Sequence, residues 1–555
     1  MPLNFKQLIE HRAAQTPDRL GYRFLPSDRD EMCLTYGQLA RRASSLADEL
    51  RRLVPAGQRA LLLYPAGFDF ICAFFACLLA DVVAVPLPVP QADNGTERLE
   101  HVIRDCSPAI ILTHSGILTR IQALLPPPLQ QTVVATDVQP DWRHAAVSPD
   151  KADASLALLQ YTSGSTGRPK GVCVSHENLH ANLQQIERAF GHTSDSRGVI
   201  WLPHYHDMGL IGGVLQPLFV GFPVTLFSPI AFVQRPVRWL QAIHTYRATT
   251  SGGPNFAYDL CVHKAASLAD QDLDLSCWTV AFNGAEPVKA TTLDAFVSAF
   301  SPAGFRRSAF LPCYGLAEAT LLVTASERNS EPVLATSPHM ATSANIEFTV
   351  DGGKPLVSCG VAAAGVSVHI APVDGSGHSA PGEIGEIVVQ GPNVSRGYWD
   401  AVRTPPSGPH VSPLRTGDLG FLLDSRLYVT GRLTDLIILR GRNIFPEDLE
   451  ATAERAEPRL AREGCAAFCV QTPGAHEVVL IQEVSLRTLR TVDINQVSQR
   501  VSLRILEQHG IRIDRFLPVK IGSLARTSSG KVSRSATKQL YLDNKLHALP
   551  TPADH

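Results

Sequence analysis

One loop of this chain reads Tyr161-Thr162-Ser163-Gly164-Ser165-Thr166-Gly167-Arg168-Pro169-Lys170-Gly171 and follows the apolar run Leu156-Ala157-Leu158-Leu159. Glycines let the backbone approach a ligand closely, and free N–H groups, hydroxyls and cations suit phosphate oxygens. The loop is not a Walker loop, because glycine and valine follow Lys170 where a metal-binding hydroxyl and a helix are required. By itself the composition predicts either a polyphosphate site or a flexible turn.

Length and charge limit the class of protein. The chain has 555 residues, enough for more than one domain. Fifty Lys and Arg face 52 Asp and Glu, a net charge of −2, so no global field points to nucleic acid. The apolar stretch 70–90 is broken by Asp81 and by prolines, so we expect no integral membrane segment. It predicts instead a buried helix over about 68–79 and a buried strand over about 82–86.

The 11 cysteines are scattered and often lie inside apolar segments. This usage is typical of reduced core residues in a cytoplasmic protein, and the start of the chain lacks a signal-peptide pattern. Cys465 and Cys469 are spaced like a metal-binding pair. No second pair and no His-x-x-x-His follows them, so core packing is the favoured interpretation.

The chain divides into a large and a small unit. Over residues 1–430, runs rich in Val, Ile and Leu alternate with helical stretches, which predicts an α/β domain of β-sheets flanked by helices. Residues 431–555 predict a small, mobile α+β domain. Between residues 500 and 545 this unit has ten Lys or Arg against three acids. That surplus indicates either a solvated face or a dock for an acidic partner.

The glycine-rich loop resembles the phosphate loop of adenylate-forming enzymes, the superfamily of acyl-CoA synthetases, nonribosomal adenylation domains and luciferases. Further motifs follow in family order over nearly the whole chain. The resemblance implies an ATP site, and Mg²⁺ with it. The loop residues implied to bind the nucleotide are Thr162, Ser163, Gly164, Ser165, Thr166, Gly167 and Lys170.

A second motif, Cys313-Tyr314-Gly315-Leu316-Ala317-Glu318-Ala319-Thr320, resembles the nucleotide motif of the same superfamily. The resemblance implies that Tyr314 and Gly315 lie near adenine and that Thr320 meets phosphate. It also makes Glu318 the expected Mg²⁺ ligand. One carboxylate plus substrate phosphates is a common Mg²⁺ environment.

Two shorter motifs complete the implied nucleotide site. Gly284-Ala285-Glu286-Pro287 resembles the loop whose backbone contacts the adenine edge. Arg415-Thr416-Gly417-Asp418-Leu419-Gly420 resembles the ribose motif, in which Asp418 accepts hydrogen bonds from both hydroxyls. Arg432 is implied as an additional donor to the ribose.

The small unit contains the implied catalytic lysine. Arg526-Thr527-Ser528-Ser529-Gly530-Lys531-Val532-Ser533-Arg534 resembles the loop whose lysine reaches the substrate carboxylate and the α-phosphate. A compact charge on a flexible stem suits a residue that enters from a mobile domain. Residues 431–434 are then the hinge. Thr434 departs from the family, which usually has Asp or Lys there.

Substrate class depends on two glycine-rich stretches. The first is residues 201–213, Trp-Leu-Pro-His-Tyr-His-Asp-Met-Gly-Leu-Ile-Gly-Gly, and the second is residues 249–258. Both stretches resemble the acyl site of fatty acyl-AMP ligases. The resemblance implies that His206 gates the catalytic site and that the substrate is a fatty acid in an apolar tunnel. An amino-acid adenylation enzyme is an alternative, because Asp207 offers a partner for a substrate ammonium group.

An insertion over about 326–358 distinguishes the remaining alternatives. It contains one possible strand, 346–350, and resembles the insertion of fatty acyl-AMP ligases that is associated with failure to use free CoA. A plain surface loop is the other interpretation. We therefore predict a fatty acyl-AMP ligase that makes acyl-AMP and pyrophosphate. It then loads an acyl carrier protein, or a carrier domain of a polyketide or nonribosomal synthase, in trans.

Three alternatives to this prediction stay open. A fatty acyl-CoA synthetase and a stand-alone amino-acid adenylation enzyme would share the same nucleotide motifs. A catalytically silent acyl-nucleotide binding protein would not need a catalytic lysine or a metal ligand. Lys531 and Glu318 both argue against that last class.

Overall fold

The computed structural model describes most of the chain: residues 4–90, 96–138, 155–162, 169–268, 272–336, 347–349, 355–373, 379–399, 412–439, 442–457, 459–460, 464–472, 475–526 and 532–549. The predicted fold class is confirmed. A large amino-terminal region of β-sheets flanked by helices precedes a small α+β region.

The α-helices of the described residues are α1 (Phe5–Gln15), α2 (Tyr36–Leu53), α3 (Phe68–Leu79), α4 (Thr96–Cys106), α5 (Leu118–Ala123), α6 (Pro127–Gln130), α7 (His176–Phe190), α8 (Gln216–Val220), α9 (Pro229–Gln234), α10 (Val237–Tyr246), α11 (Asn255–His263), α12 (Ala290–Phe300), α13 (Pro446–Ala456), α14 (Leu486–Leu489), α15 (Ile494–His509) and α16 (Arg534–Leu542). Several begin at a side-chain cap. Ser175 and Asn178, for example, form a reciprocal capping box at the start of α7.

The strands of the large region are β1 (Leu20–Phe24), β2 (Met32–Thr35), β3 (Arg59–Leu63), β4 (Val83–Leu87), β5 (Ile110–Thr113), β6 (Val133–Ala135), β7 (Leu156–Thr162), β8 (Lys170–Ser175), β9 (Gly198–Ile200), β10 (Val224–Leu226), β11 (Thr250–Gly253), β12 (Val280–Asn283), β13 (Phe310–Gly315), β14 (Leu322–Ala325), β15 (Leu334–Thr336), β16 (Glu347–Thr349), β17 (Pro355–Val357), β18 (Val361–Ala362), β19 (Ser367–Ala371), β20 (Gly385–Gln390), β21 (Leu414–Leu423) and β22 (Arg426–Arg432).

The remaining strands are β23 (Ile437–Leu439), β24 (Arg442–Ile444), β25 (Cys465–Thr472), β26 (Ala475–Val484) and β27 (Arg515–Lys520). Short 3₁₀ segments and one π-helical segment, Met208–Leu215, lie between these elements.

Two sheets form the body of the large region. One has the strand order β18-β14-β13-β12-β11-β9-β10-β1-β2, and the other has the order β6-β5-β3-β4-β7-β8. Strands β9 to β13 of the first sheet run parallel to one another. Their carboxyl ends therefore point to one edge of the sheet, which is where ligands bind in sheets of this type.

Helix α3 packs in the core of the large region. Its sequence is apolar on all sides, and nearly every side chain from Phe68 to Leu79 is buried. A helix that is apolar all round belongs in a core. The predicted helix over 68–79 is confirmed to the residue. The strand predicted from residue 82 begins one residue later, at Val83, because Asp81 turns the chain with a positive φ of 55° and Val82 completes that turn.

The small region has its own core on both faces of the sheet β25-β26-β27. Ala467 and Leu480 face α13 and α15, while Phe468 and Ile481 face α16. This alternation follows from the two-residue repeat of a strand. Strand β22 runs through Arg432, so the predicted boundary after residue 430 falls inside a strand of the large region. The exact boundary stays a prediction.

The cations between residues 500 and 545 mostly pair with acids of the same region. This favours an ion-paired, solvated surface over a basic dock for an acidic partner. The pairs are Arg500 with Glu457, Arg504 with Glu507, Arg515 with Glu477, Arg526 with Glu483, Arg534 with Asp435, Glu447 and Glu450, and Lys545 with Asp543. In the part of the chain that is described, no helix is both long and apolar enough to cross a bilayer.

Candidate active site

A large cavity of about 1790 Å³ opens at the carboxyl ends of the parallel strands and continues between the large and small regions. It brings together residues that are far apart in sequence. The predicted site residues that line it are Thr162, Lys170, His206, Ala285, Glu286, Tyr314, Gly315, Glu318, Asp418 and Arg432. Gly284 and Thr320 are described but are not among its lining residues.

The predicted phosphate loop joins the two strands of a hairpin. Strands β7 and β8 pair antiparallel, with Thr162 opposite Lys170. Gly171 is required by packing, because a Cβ there would lie 2.9 Å from the Tyr161 ring. Ser163, Gly164, Ser165, Thr166 and Gly167, together with Arg168, lie outside the described residues, so their role stays a prediction.

The predicted metal ligand Glu318 belongs to a polar chain that ends at the phosphate loop. Tyr398 Oη donates to Glu318 Oε1 at 2.8 Å, and Lys170 Nζ lies 5.1 Å above the centre of the Tyr398 ring. Burial and the neighbouring Glu318 carboxylate raise the pKa of Tyr398. Among the described residues only Tyr398 bonds to this carboxylate, which leaves the second oxygen available to a cation.

The described residues contain no group of three or more His, Cys, Asp or Glu that could hold a metal ion. Mg²⁺ does not need such a group when substrate phosphates supply most of its oxygen ligands. The donor chemistry of Glu318 therefore fits a nucleotide-bound Mg²⁺.

The predicted ribose site is organised around Asp418. Tyr314 Oη donates to Asp418 Oδ2 at 2.8 Å, and Arg432 Nε donates to Asp418 Oδ1 at 2.9 Å. The charge of Asp418 raises the pKa of Arg432 despite partial burial. A carboxylate has about four acceptor positions, so Asp418 can accept further hydrogen bonds from ligand hydroxyls.

The predicted adenine loop has an unusual backbone. Ala285 has φ +70°, which a residue with a side chain rarely adopts. Gly284 packs so closely that a Cβ there would lie 2.7 Å from the Cys313 carbonyl oxygen. Glu286 Oε1 accepts from the backbone N–H of Asn255 at 2.8 Å, at the start of α11. The loop is therefore held in a strained shape, as is frequent at binding sites.

Thr320 does not reach the cavity. It also has a positive φ, +67°, and its hydroxyl donates to the Asn393 carbonyl at 2.6 Å. The side chain is 1% exposed, so it braces the loop that follows Glu318 and does not face the cavity. Gly315 beside it leaves room for the returning chain, because a Cβ there would lie 1.7 Å from the Leu321 carbonyl oxygen.

His206 lines the cavity and lies against Asp207. Its Nδ1 is 2.5 Å from Asp207 Oδ1, and the backbone N–H of Met208 donates to the same oxygen at 2.7 Å. Asp207 is 7% exposed. A carboxylate that is buried and bonded in this way is a poor partner for a substrate ammonium, which weakens the amino-acid alternative.

Lys531 lies outside the described residues, but both flanks of its loop are described. Arg526 pairs with the buried Glu483, and Arg534 Nη1 donates to Glu447 Oε1 at 2.7 Å. Arg534 also bonds to Glu450 at 2.6 Å and to Asp435 at 3.2 Å. These ion pairs fix where the loop leaves and rejoins the small region.

The sequence motifs did not identify Tyr398 or Arg534 as functional. Tyr398 stands in Gly397-Tyr398-Trp399, an aromatic pair after a glycine that carries no separate signal for a phosphate site. Arg534 closes the motif that contains Lys531 and is one of the surplus cations, but the motif gives it no role of its own. Its position three residues after Lys531 is the one clue that would have identified it.

Comparison with known proteins agrees with the geometry. Residues 9–399 match the family model described as AMP-binding enzyme, and residues 434–551 match the one described as Disco-interacting protein 2-like, AMP domain. The chain therefore belongs to the AMP-binding enzymes and, by the relatives described next, to the fatty acyl-AMP ligases among them.

Two relatives and one solved structure align over nearly the whole chain. The medium-chain-fatty-acid–[acyl-carrier-protein] ligase JamA of Moorena producens is 38% identical, over 97% of this chain and 95% of the relative. The long-chain-fatty-acid–AMP ligase FadD23 of Mycobacterium tuberculosis is 36% identical, over 96% and 95%. The structure of a fatty acyl-adenylate ligase of L. pneumophila with acyl adenylate and pyrophosphate is 32% identical, over 97% and 96%, with a TM-score of 0.71.

These matches confirm the predicted class of enzyme, an ATP-dependent ligase that forms an acyl adenylate. They do not test the individual site residues, whose roles stay predictions.

Proposed function

We propose that this protein activates a fatty acid with Mg-ATP and transfers the acyl group to the phosphopantetheine thiol of an acyl carrier protein, supplied in trans. In the first step a carboxylate oxygen bonds to the α-phosphorus as the bond to pyrophosphate breaks. In the second the thiol loses its proton, its sulfur bonds to the acyl carbon, and AMP leaves. The names of both relatives support a fatty acid as the substrate, and the name of JamA supports an acyl carrier protein as the acceptor.

Within this proposal the large region binds the nucleotide. Asp418 and Arg432 would orient the ribose, and Lys170 would neutralise phosphate charge. Glu318 would hold Mg²⁺, which supplies electrostatic stabilisation of the charge on the phosphates. Lys531 would approach the carboxylate and the α-phosphate from the small region, where two anions must meet.

The observation that favours a carrier protein over free CoA is a strand pairing between the insertion and the small region. Strand β16 pairs parallel with β24, Glu347 opposite Arg442 and Thr349 opposite Ile444. Ala335 and Leu356, from the strands β15 and β17 of the insertion, pack in one cluster with Phe445. The insertion therefore contacts the elements that must move when the small region rotates.

The pairing between β16 and β24 should make the transfer of the acyl group to free CoA less favourable. Breaking it costs about 1 kcal/mol for each hydrogen bond lost. A freely diffusing thiol brings little binding energy to offset that cost, whereas a docked carrier protein does. Because most of the described cations of the small region are already paired, we do not assign the carrier to that face. A cytoplasmic location is part of the proposal, because 11 free thiols suit a reducing compartment.

The structure suggests a clean way to test the insertion. Thr336 and Pro355 are opposite each other in the antiparallel pair β15–β17, so an Asn-Gly turn can replace residues 337–354 and leave that hairpin intact. Phe348→Pro is a milder variant, because proline removes a backbone donor from β16. Phe348→Ala is its matched control.

We expect the intact protein to make acyl-AMP, to load a phosphopantetheinylated carrier protein, and to make little acyl-CoA when CoA is present. The excised variant should make more acyl-CoA, Phe348→Pro should lie between the two, and Phe348→Ala should resemble the intact protein. Pyrophosphate release and mass analysis of the products measure each step. Rapid acyl-CoA synthesis by the intact protein would leave an ordinary acyl-CoA synthetase.

A further inference from the structure

The cavity extends away from the nucleotide loops, down the length of the parallel strands. Thr250 is opposite Gly198 and Val280 at the amino ends of these strands, and Gly253 is opposite Asn283 at their carboxyl ends. We call this extension the acyl arm. Its apolar lining is Ile186, Phe190, Ile200, Phe222, Val224 and Phe282.

His192 lies at the lower end of the acyl arm, where both it and Thr250 line the cavity. The side chain is 7% exposed and packs between Phe190 and Phe222, with ring centroids 5.4 and 5.0 Å away. Burial lowers its pKa to about 3, so the ring stays neutral and places no charge in an apolar channel.

Hydrogen bonding holds this ring in place. His192 Nε2 lies 3.1 Å from Thr250 Oγ1, and its Nδ1 lies 3.4 Å from the side-chain amide of Gln216. Arg328, at the start of the insertion, donates to the Gly191 carbonyl at 3.1 Å and packs beside the same end of α7. A ring fixed on several sides cannot swing aside without losing hydrogen bonds, unlike a phenylalanine in the same place.

We propose that His192, held by Thr250, sets the length limit of the acyl chain and makes this enzyme selective for medium-chain fatty acids. The inference rests on the proposed function and adds the substrate class. The three residue steps from Thr250 to Gly253 span about 10 Å. An extended chain advances about 3.5 Å for every three bonds, so roughly eight to ten carbons fit above His192.

Three variants test whether His192 closes the lower end of the acyl arm. His192→Ala removes the ring, and Thr250→Val keeps the volume but removes the hydroxyl that holds the ring. His180→Ala is the matched control, a histidine on α7 that packs against Phe219 and lies outside the arm. The measurement is kcat/KM for acyl-AMP formation with hexanoate, octanoate, decanoate, dodecanoate and hexadecanoate, and the melting temperature of each variant.

We expect the wild-type enzyme to prefer octanoate and decanoate to hexadecanoate by at least about tenfold, since even one methylene misfit in a pocket changes rates by roughly 10- to 200-fold. His192→Ala should shift the optimum to longer chains and raise the hexadecanoate value by roughly tenfold. Thr250→Val should broaden the profile, and His180→Ala should leave it unchanged.

Different results would contradict the proposed function and the proposed length limit. If the wild-type enzyme adenylates none of the acids, the proposed function is wrong. If it adenylates them but prefers hexadecanoate, or if the profile of a folded His192→Ala matches wild type, the length limit is wrong. If His192→Ala does not fold, Thr250→Val decides, because an unchanged profile in that variant also overturns the inference.

Discussion

The two walls of the active-site cavity are built differently. On the large-region wall, Asp418 and Glu318 are each bonded to side chains from distant segments, with Tyr314 and Tyr398 as the donors. On the small-region wall, the charges gather around Arg534. Its acidic partners among the described residues are Asp435, which follows the hinge, and two glutamates of α13.

This difference predicts that nucleotide binding depends on one wall and the chemical step on the other. Among the described residues, the side-chain hydrogen bonds to Asp418 and Glu318 all come from the large region. We therefore expect this wall to bind the nucleotide even while the small region moves. In the proposed mechanism Lys531 enters from the small-region side, and it would reach the reaction only when the domains close. Changes in the large wall should therefore act on binding, and changes in the small wall should act on rate.

The largest expected effect is that of Lys531→Ala. The rate of acyl-AMP formation should fall by roughly two to three powers of ten, as the loss of one preorganised charge typically does. The affinity for ATP should change little, because the large wall is intact. Single-turnover adenylation and an ATP-binding isotherm measure the two effects.

Lys520→Ala, an exposed lysine in the same small region, is the control for Lys531→Ala and should behave as wild type. Near wild-type adenylation by the Lys531 variant would remove the assignment of this lysine. A large loss of ATP affinity would contradict the separation of the two walls.

Asp418→Asn should show the opposite behaviour. The amide keeps the shape but loses the charge that pairs with Arg432 and that, in the proposed site, would accept from ribose hydroxyls. Hydrogen bonds to charged groups contribute about 1.5–3 kcal/mol, so the KM for ATP should rise by roughly 10- to 100-fold with a smaller change in kcat. Asp424→Asn, at the exposed turn between β21 and β22, is the matched control. A pure kcat effect would place Asp418 in the chemistry.

Glu318→Gln should have a smaller effect that depends on Mg²⁺. Glutamine still accepts from Tyr398 but gives a cation no charge, so activity should fall about tenfold at low Mg²⁺ and recover partly as Mg²⁺ is raised. Tyr398→Phe separates the roles, because it removes the hydrogen bond and keeps the carboxylate. An unchanged Mg²⁺ dependence in Glu318→Gln would contradict the metal assignment.

The sequence correctly predicted the structural elements that depend only on residues close together in the chain. The helix over 68–79 is correct because a continuous apolar run of that length can be buried on every side. The possible strand over 346–350 appears as Glu347–Thr349, but its pairing with β24 was not predictable from its own residues. Which strands pair depends on the packing of the whole fold and not on the sequence of one strand.

The contacts of the candidate site that its motifs do not reveal also join distant segments. Thr320 matches its motif, and in the structure its hydroxyl donates to the carbonyl of Asn393, 73 residues further along the chain. Arg534 looked like one of ten surplus cations, because its partners Glu447 and Glu450 lie 87 and 84 residues earlier. Counting charge along a chain cannot detect such pairs.

The smallest expected effect concerns Asp259, where the two walls meet. Burial raises the pKa of Asp259 to about 6, an effect that Thr292 and Lys289 only partly offset. Burial would lower the pKa of Lys289, but the carboxylates around it raise it; Glu454 of the small region has the largest such effect. Asp259 thus belongs to a cluster of charges that spans both walls.

The pH dependence of stability follows from this shift. A carboxyl whose folded pKa lies above its unfolded value binds its proton more tightly when folded, so its contribution is full at low pH and is lost as the pH rises through about 6. Asp259→Asn stays neutral and avoids that loss. The stability gained over wild type should therefore grow by about 1 kcal/mol between about pH 5 and pH 8. Melting curves at both pH values measure it, with the exposed Asp195→Asn as the control. A gain that is equal at both values would show that Asp259 does not titrate in this window, and a gain that shrinks toward pH 8 would mean that its charge is favourable where the walls meet.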